Sequence, residues 1–188
     1  MTDQDLLRAY VDSEDVDSLG TFLSRYQSPL LRFVSRFLKD DAAAQDIVQE
    51  TFLRVVRQPN RLLDVASCHN WLLRVARNLS VDYLRGAIRL RKQASELAEE
   101  SAATASTTAD LSADRSLEKE EARERVRQEI AGLQPRHREL MLLRVQEGKT
   151  YREIAEITGL TVTNVGYLIH QAMKTLAVRL QDLNEDRS

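Results

Sequence analysis

Apolar residues recur at helical spacing along most of the chain, and no segment alternates apolar and polar residues as a half-buried strand would. The first half is predicted to hold a short helix near residues 3–10 and three longer amphipathic helices. Their apolar stripes are carried by Tyr26, Leu30, Phe33, Val34 and Phe37, by Ile47, Val48, Phe52, Val55 and Val56, and by Trp71, Leu72, Val75, Leu79 and Tyr83. Pro59 and Asn60 end the second of these helices. The third is expected over 67–86, with Ser67 as its N-cap.

The second half predicts a helix near 117–131 and another over about 135–146. Pro135 suits the first turn of the latter helix, and Gly148 ends it. Between the two halves, the run SAATASTTADLSADRS at 101–116 is almost all small and polar, so it cannot bury enough apolar surface to offset its ordering entropy. The prediction is therefore an all-α chain of two small helical domains. These are an N-terminal bundle at 1–92 and a four-helix domain at 117–188, joined by a flexible linker at 93–116.

The segment TYREIAEITGLTVTNVGYLIHQAMKTL has the features of a helix-turn-helix. Thr150 and Glu153 are spaced as a capping box at the start of a short helix, and Gly159 stands where the chain must turn. A second helix follows from about residue 161, with Val165, Leu168, Ile169, Ala172 and Leu176 facing inward. An ordinary helical hairpin would show a similar pattern, but the cap, the glycine and the core positions together favour DNA binding.

On that interpretation, residues 161–174 form the recognition helix. Its outer face carries Thr163, Asn164, Tyr167, His170, Gln171 and Lys174, and Lys149, Thr150, Arg152 and Thr161 lie at or near the helix starts. Asn and Gln side chains can read adenine edges, and Lys149, Arg152 and Lys174 would hold phosphates. Lys174 is the only base between 161 and 178, and Gly166 lies inside the helix, so we expect weak phosphate binding by this helix.

The net charge is only −2, so the overall charge does not indicate a nucleic-acid-binding protein. The charges are, however, unevenly distributed along the chain. Residues 70–92 carry six bases and one acid, whereas 1–25 carry six acids and two bases, and 94–121 carry eight acids and two bases. A basic block between acidic ones suits a local anionic partner, although a solvated helix face would look the same.

The basic block contains the helix NWLLRVARNLSVDYLR, preceded by the polar loop RLLDVASCHN. Arg74, Arg77, Asn78 and Arg85 lie outside the apolar stripe and could hold an unpaired strand. Trp71 is either a core residue or a platform on which a base stacks, and its spacing favours the core.

Composition argues against several other classes. The single cysteine, Cys68, excludes an internal disulfide, and neither His69 nor His137 belongs to a cluster of metal ligands. Glycine loops for nucleotides and nucleophile elbows are lacking, so we predict no enzyme, no catalytic residue, no metal and no cofactor. No run is long enough for a membrane span or a signal peptide, which leads us to expect a cytoplasmic protein.

Three segments taken together resemble the extracytoplasmic-function (ECF) sigma factors, small promoter-recognition subunits of bacterial RNA polymerase. They are DAAAQDIVQETFLRVVR at 41–57, WLLRVARNLSVDYLR at 71–85 and LQPRHRELMLLRVQEGKTYREIAEITGL at 133–160. The resemblance implies that core RNA polymerase and promoter DNA are partners, together with an anti-sigma factor or another sequestering regulator. It also implies that the linker threads toward the RNA exit path of polymerase.

The resemblance further assigns roles to individual residues. The resemblance implies that the residues that dock on polymerase are Asp46, Gln49, Glu50 and Phe52. It implies that the residues that melt and read the downstream promoter element are Ser67, His69, Asn70, Arg74, Arg77, Asn78 and Arg85. The helix-turn-helix would read the upstream element. Gln45 stands where many relatives carry a second acid, so one charged contact to polymerase is expected to be absent. Two other hypotheses stay open: a free-standing dimeric regulator and a helical adaptor that binds only protein.

Overall fold

The structure, a computed structural model, describes the backbone of residues 1–97 and 117–185 and the side chains of residues 1–91 and 123–181. No residue in those backbone ranges lies in a strand, which confirms the all-α prediction. The elements are α1 Asp3–Ser13, α2 Val16–Leu38, α3 Asp41–Arg57, α4 Asn60–Leu63, α5 Cys68–Leu97, α6 Leu117–Ala131, α7 Pro135–Met141, the π-turn Leu142–Gln146, α8 Tyr151–Thr158 and α9 Val162–Glu185.

Helices α1 to α5 form an N-terminal bundle in which α2 lies at the centre. It packs against α1, α3 and α5, and α1 also contacts α4. The phenylalanines Phe22, Phe33 and Phe37 of α2 are at most 1% exposed, and α1 adds the buried Leu6 and Leu7. Burial of each such side chain stabilises the fold by roughly 1.5–3 kcal/mol, so this apolar stripe holds the bundle together.

Three of the six acidic side chains in residues 1–25 fix the start of a helix or join two helices. Asp5 completes a capping box with Thr2 at the start of α1, and Asp15 accepts from the backbone of Asp17 and Ser18 at the start of α2. Asp3 accepts from Arg25 at 2.8 Å and from the hydroxyl of Tyr26, which ties α1 to α2. These acidic side chains therefore have local structural roles in capping and pairing.

Four details of the predicted elements are wrong. Helix α5 continues through Gly86 to Leu97, because a helical glycine with open space around it weakens a helix without ending it. The polar loop after α3 contains the short helix α4. The last turns predicted for the 135–146 helix are π-helical. On the apolar stripes, Val56 and Tyr83 are 39% and 43% exposed, and the Tyr83 hydroxyl donates to Asp40 instead of entering the core.

Helices α6 to α9 form a C-terminal unit with its own core. Helix α9 packs against α6, α7 and α8. The core residues are Ile130, Leu133, Leu140, Leu143, Ile154, Ile157, Val165, Ile169, Ala172 and Leu176. The predicted linker over 93–116 begins inside α5, and from residue 98 onward it lies outside the described residues.

The two units also contact each other. Helix α5 packs against α8, and α2 packs against α7 and the π-turn. Arg36 of α2 donates to Gln146 at 2.7 Å across this contact. The first turns of α5, which carry several predicted DNA-binding residues, consequently face the C-terminal unit.

Candidate nucleic-acid interface

The helix-turn-helix has the local geometry that its sequence predicts. The Thr150 backbone donates to Glu153 Oε2 at 2.8 Å, and the Glu153 backbone donates to Thr150 Oγ1 at 3.3 Å, which completes the capping box. Gly159 ends α8 with φ +74°, a left-handed conformation that L side chains rarely adopt. The short α8, the tight turn and the long α9 are therefore specified locally.

The inner face of α9 locks it against α8. Val165, Ile169 and Ala172 are at most 1% exposed, and the small Ala155 of α8 is buried as well, where α8 packs against α9. Ile169 thus belongs to the core and leaves the outer face to polar residues. Gly166 lies beneath the Tyr151 ring, whose nearest carbon is 3.6 Å from where a Cβ would stand, and the Arg144 guanidinium lies 5.5 Å from the centre of that ring.

The outer face of α9 is exposed, as a recognition helix requires. Thr163, Asn164, His170 and Lys174 are exposed, and Tyr167 is 60% exposed and accepts from Gln171 at 2.6 Å. Thr161 caps the helix by accepting from the Asn164 backbone at 3.2 Å. These side chains form one continuous surface, and their contacts with individual bases stay a prediction.

The predicted DNA-binding residues that precede α9 differ in their exposure to solvent. Arg152 is exposed on α8, and the Thr150 side chain serves the capping box. Lys149 is only 8% exposed, and its Nζ lies 3.2 Å from His69 Nδ1 in the other unit. In this conformation Lys149 is therefore not available to the phosphate group for which the sequence suggested it.

The proposed polymerase-docking residues lie along α3. Asp46 and Gln49 are exposed, whereas Phe52 is half-buried against the core of the bundle. Glu50 is held by Arg54 at 3.2 Å and Arg57 at 3.8 Å. The acidic face and the packed aromatic ring thus coexist on one helix.

A cleft of about 600 Å³ lies between α3 and α5 beside this acidic face. Its lining includes Arg54, Arg57, Arg61, Trp71, Arg74 and Asn78. Trp71 is half-buried, so it both packs on the core and lines the cleft, as the two interpretations of its spacing allowed. Glu50 also lines the cleft and pairs with Arg54 and Arg57. The four guanidinium groups outnumber this one carboxylate, so the cleft combines positive charge, a stacking surface and hydrogen-bond donors.

Sequence reasoning identified Arg74 and Asn78 but missed Arg54, Arg57 and Arg61. The missed arginines fall at intervals of three and four residues, a spacing that would place them on one side of a helix. That signal was available, but their convergence on Trp71 depends on how α3, α4 and α5 pack.

The residues predicted to bind the downstream element divide into two groups. Arg74, Asn78 and Arg85 are exposed, and Ser67 is the N-cap of α5, accepting from the Asn70 backbone at 3.2 Å. The other three contact the C-terminal unit: His69 Nε2 lies 3.2 Å from Glu147 Oε2, Asn70 donates to Glu153 Oε1 at 3.1 Å, and Arg77 Nε donates to Glu139 Oε1 at 2.5 Å.

Two of these glutamates have lowered pKa values. Hydrogen bonds from the Thr150 backbone and side chain, and then from Asn70, lower the pKa of Glu153 to about 2. Burial acts to raise the pKa of Glu147, but the neighbouring His69 and Gln146 side chains outweigh it and hold that pKa below its usual value. Both carboxylates are therefore stabilised as anions at the contact between the units.

Within the described ranges, no group of three or more His, Cys, Asp or Glu residues is placed to hold a metal ion. Among the helices that the structure describes, none is long and apolar enough to span a bilayer.

Fold and site define a protein of two helical units, with a helix-turn-helix in one and an arginine-lined cleft in the other. Family models match in the same order: Sigma-70 region 2 over residues 22–90 and Sigma-70, region 4 over residues 123–176. The chain belongs to the ECF RNA polymerase sigma factors. It is accordingly a factor that binds core RNA polymerase and directs transcription initiation at promoters.

Two curated relatives and one solved structure illustrate the membership. The ECF RNA polymerase sigma factor SigL of Mycobacterium tuberculosis is 30% identical over 159 residues, which are 84% of this chain and 86% of SigL. BldN of Streptomyces coelicolor is 26% identical over 170 residues, which are 89% of this chain but 62% of BldN. The fold resembles that of the sigma factor RpoE from Bartonella quintana, solved with the anti-sigma factor NepR, with a TM-score of 0.65, 18% identity and coverage of 86% of this chain and 96% of that one.

Proposed function

We propose that the cleft between α3 and α5 holds the unpaired strand of the opened promoter. The observation that carries this proposal is the grouping of four arginines around Trp71 and Asn78. Arginines neutralise the backbone, an aromatic face accepts an unstacked base, and an amide can read a base edge. Extruding a base costs a few kcal/mol, which such a pocket can offset.

The remaining proposed roles, polymerase docking and reading of the upstream promoter element, belong to α3 and α9. The exposed face of α3, with Asp46, Gln49 and Glu50, docks on polymerase, and the outer face of α9 reads the upstream promoter element. Residues 1–92 and 117–188 act as separate domains joined by the linker at 93–116. The protein acts in the cytoplasm beside polymerase and carries out no catalytic chemistry of its own.

A sequestering regulator is also proposed, an anti-sigma factor that holds the protein away from polymerase. Support comes from the likeness of the fold to a sigma factor that was solved with its anti-sigma factor. That likeness concerns the fold alone.

The cleft is tested by Arg74→Ala, which removes one exposed guanidinium from its lining. With core polymerase and a promoter selected by the wild-type protein, we expect open-complex formation to fall by about tenfold or more, with binding of core polymerase unchanged. Arg8→Ala is the matched control, because Arg8 is an exposed arginine on α1 that does not line the cleft. Equal activity of the two variants would contradict the proposal.

A further inference from the structure

Two side chains on the outer face of α9 are joined to each other. Gln171 Nε2 donates to the hydroxyl of Tyr167, one helical turn earlier, at 2.6 Å. Tyr167 is 60% exposed, and Gln171 is half-buried. The hydrogen bond holds the amide of a flexible side chain in one orientation at the surface of the helix. A group that is already oriented loses less entropy when it makes a further contact.

The hydrogen bond to Tyr167 decides what the amide of Gln171 still offers. A glutamine amide has two N–H donors and one carbonyl acceptor. Because one N–H is given to Tyr167, the amide retains one N–H donor and its carbonyl oxygen. Adenine requires this combination in the major groove, where its N7 accepts a hydrogen bond and its N6 amino group donates one.

The same combination of donor and acceptor discriminates against the other bases. Guanine presents two acceptors, N7 and O6, so the carbonyl oxygen of Gln171 would face O6 without a hydrogen bond. Thymine and cytosine each present a single polar group in the major groove, so neither satisfies both halves of the amide. The oriented amide therefore favours an A·T pair whose adenine faces α9.

The position of Gln171 on α9 suits contact with a base. Asn164, Tyr167, Gln171 and Lys174 lie at intervals of three or four residues, so they share one side of the helix. Asn164 and Lys174 are exposed, whereas the core residues of α9 lie on the opposite side. Side chains on the exposed side of a recognition helix reach base edges when the helix enters the major groove.

This side of α9 carries little of the charge that would bind every DNA sequence equally. Lys174 is the only Lys, Arg, Asp or Glu in the sequence from 161 to 174. One ammonium group contributes little of the phosphate-based affinity that is independent of sequence. Discrimination between promoters by this helix consequently depends on neutral groups, and an oriented amide is a neutral group that distinguishes bases.

We propose that Gln171 reads an adenine of the upstream promoter element and that Tyr167 is its positioning residue. The inference rests on the proposed function, in which the outer face of α9 reads that element. It adds the identity of one base and the residue that selects it. Replacement of that adenine by guanine weakens initiation by about tenfold or more, because a bidentate contact is lost.

The test uses the full chain with core polymerase and the variant Gln171→Arg. Arginine pairs with N7 and O6 of guanine, so the variant should change the preferred base from adenine to guanine. The probe is a promoter that the wild-type protein selects, with its downstream element kept and the duplex upstream of that element randomised. Sequencing of the transcripts gives the base preference at every upstream position.

We expect the wild-type protein to prefer adenine over guanine by about tenfold or more at one upstream position. Gln171→Arg should reverse the preference at that position alone, and Gln171→Ala should abolish it there. The matched control is Gln27→Arg, at an exposed glutamine of α2, which adds the same charge and should leave every preference unchanged.

Tyr167→Phe tests the positioning role, because it keeps the exposed ring and removes the hydroxyl that accepts from Gln171. We expect a weaker preference for adenine at the position that Gln171→Arg changes, with the melting temperature unchanged. A role of Tyr167 in folding alone would leave the base preference as it is in the wild-type protein, and that result would overturn the positioning role.

The assignment of Gln171 is overturned if Gln171→Arg shifts no base preference, or if Gln27→Arg produces the same shift. Asn164→Ala separates this failure from that of the proposed function, since Asn164 lies on the same exposed side of α9. If Asn164→Ala changes the upstream preferences and Gln171→Arg does not, α9 reads the element without Gln171. If neither variant changes them, the proposed role of α9 fails as well.

Discussion

Single residues define the helix-turn-helix through backbone conformation and capping. Gly159 occupies left-handed space, and nothing lies within 4 Å of the point where a Cβ would stand, so its role is conformational rather than steric. Thr150 and Glu153 satisfy each other's backbone donors at the start of α8. Such features were predictable from sequence because each depends on residues within three or four positions.

Replacement of Gly159 by valine tests the turn. Gly159→Val forces a β-branched side chain to φ +74°, and we expect a loss of roughly 1–2 kcal/mol in the free energy of unfolding. Denaturant titration of the full chain measures it. Gly20→Ala, at an open helical position, is the control and should stabilise the protein by up to about 1 kcal/mol. A valine variant as stable as wild type would refute the turn assignment.

Glu153 gives a prediction about pH. The pKa of Glu153 is about 2 in the folded protein, against an ordinary pKa of 4.5. The ionised carboxylate therefore stabilises the fold at pH values above its ordinary pKa. This stabilisation is lost as the pH falls through the pKa of the folded protein. Glu153→Gln should lower the melting temperature near pH 7 by about 1–4 °C, and the difference should shrink on acidification toward about pH 3. Asn70 faces this carboxylate from the other unit, and Lys149 faces it from the same unit.

The control for this series is Glu156→Gln, which removes an exposed charge from the same helix. Its melting temperature should stay close to wild type throughout the range. A Glu153→Gln difference that does not exceed that of the control near pH 7, or that grows on acidification, would contradict the assigned role.

At the scale of elements, local periodicity predicted most helices but not where they end or meet. Gly86 looked like the end of a helix, yet α5 continues to Leu97, because propensity is only a weak constraint on a helix. The π-turn at Leu142–Gln146 and the short α4 leave no periodic trace. The grouping of Arg54 and Arg61 around Trp71 depends on packing between helices that are distant in sequence.

The affinity of the protein for core polymerase is predicted to depend on helix α3. Glu50→Arg reverses a half-exposed charge and breaks its contacts with Arg54 and Arg57, pairs that contribute at most about 1 kcal/mol to stability. We expect affinity for core polymerase to fall by about tenfold or more while the melting temperature stays near wild type. A fluorescence titration against core polymerase measures the change.

The matched control for this variant is Glu156→Arg, a charge reversal on the C-terminal unit. It should bind core polymerase nearly as tightly as wild type. Equal weakening by the two variants would mean that net charge, and not the surface of α3, governs docking.

On the scale of the whole molecule, the described conformation couples two DNA-binding surfaces. Contacts between Arg77 and Glu139 and between Asn70 and Glu153 join the units, and none of them has a signature in the sequence. The sequence predicted two helical domains and their roles, but it treated them as independent. The structure adds that Asn70 and Arg77, which the sequence predicted to bind DNA, contact the C-terminal unit in this conformation.

The central claim is that this chain gives polymerase its promoter specificity, with α3, α5 and α9 each contacting a separate partner surface. The most direct measurement is transcription from a random promoter library by core polymerase with and without the purified protein, followed by sequencing of the transcripts. We predict initiation at one class of promoters with two separated elements, only when both components are present. Tight operator binding without polymerase, or no selected promoter class, would contradict the account.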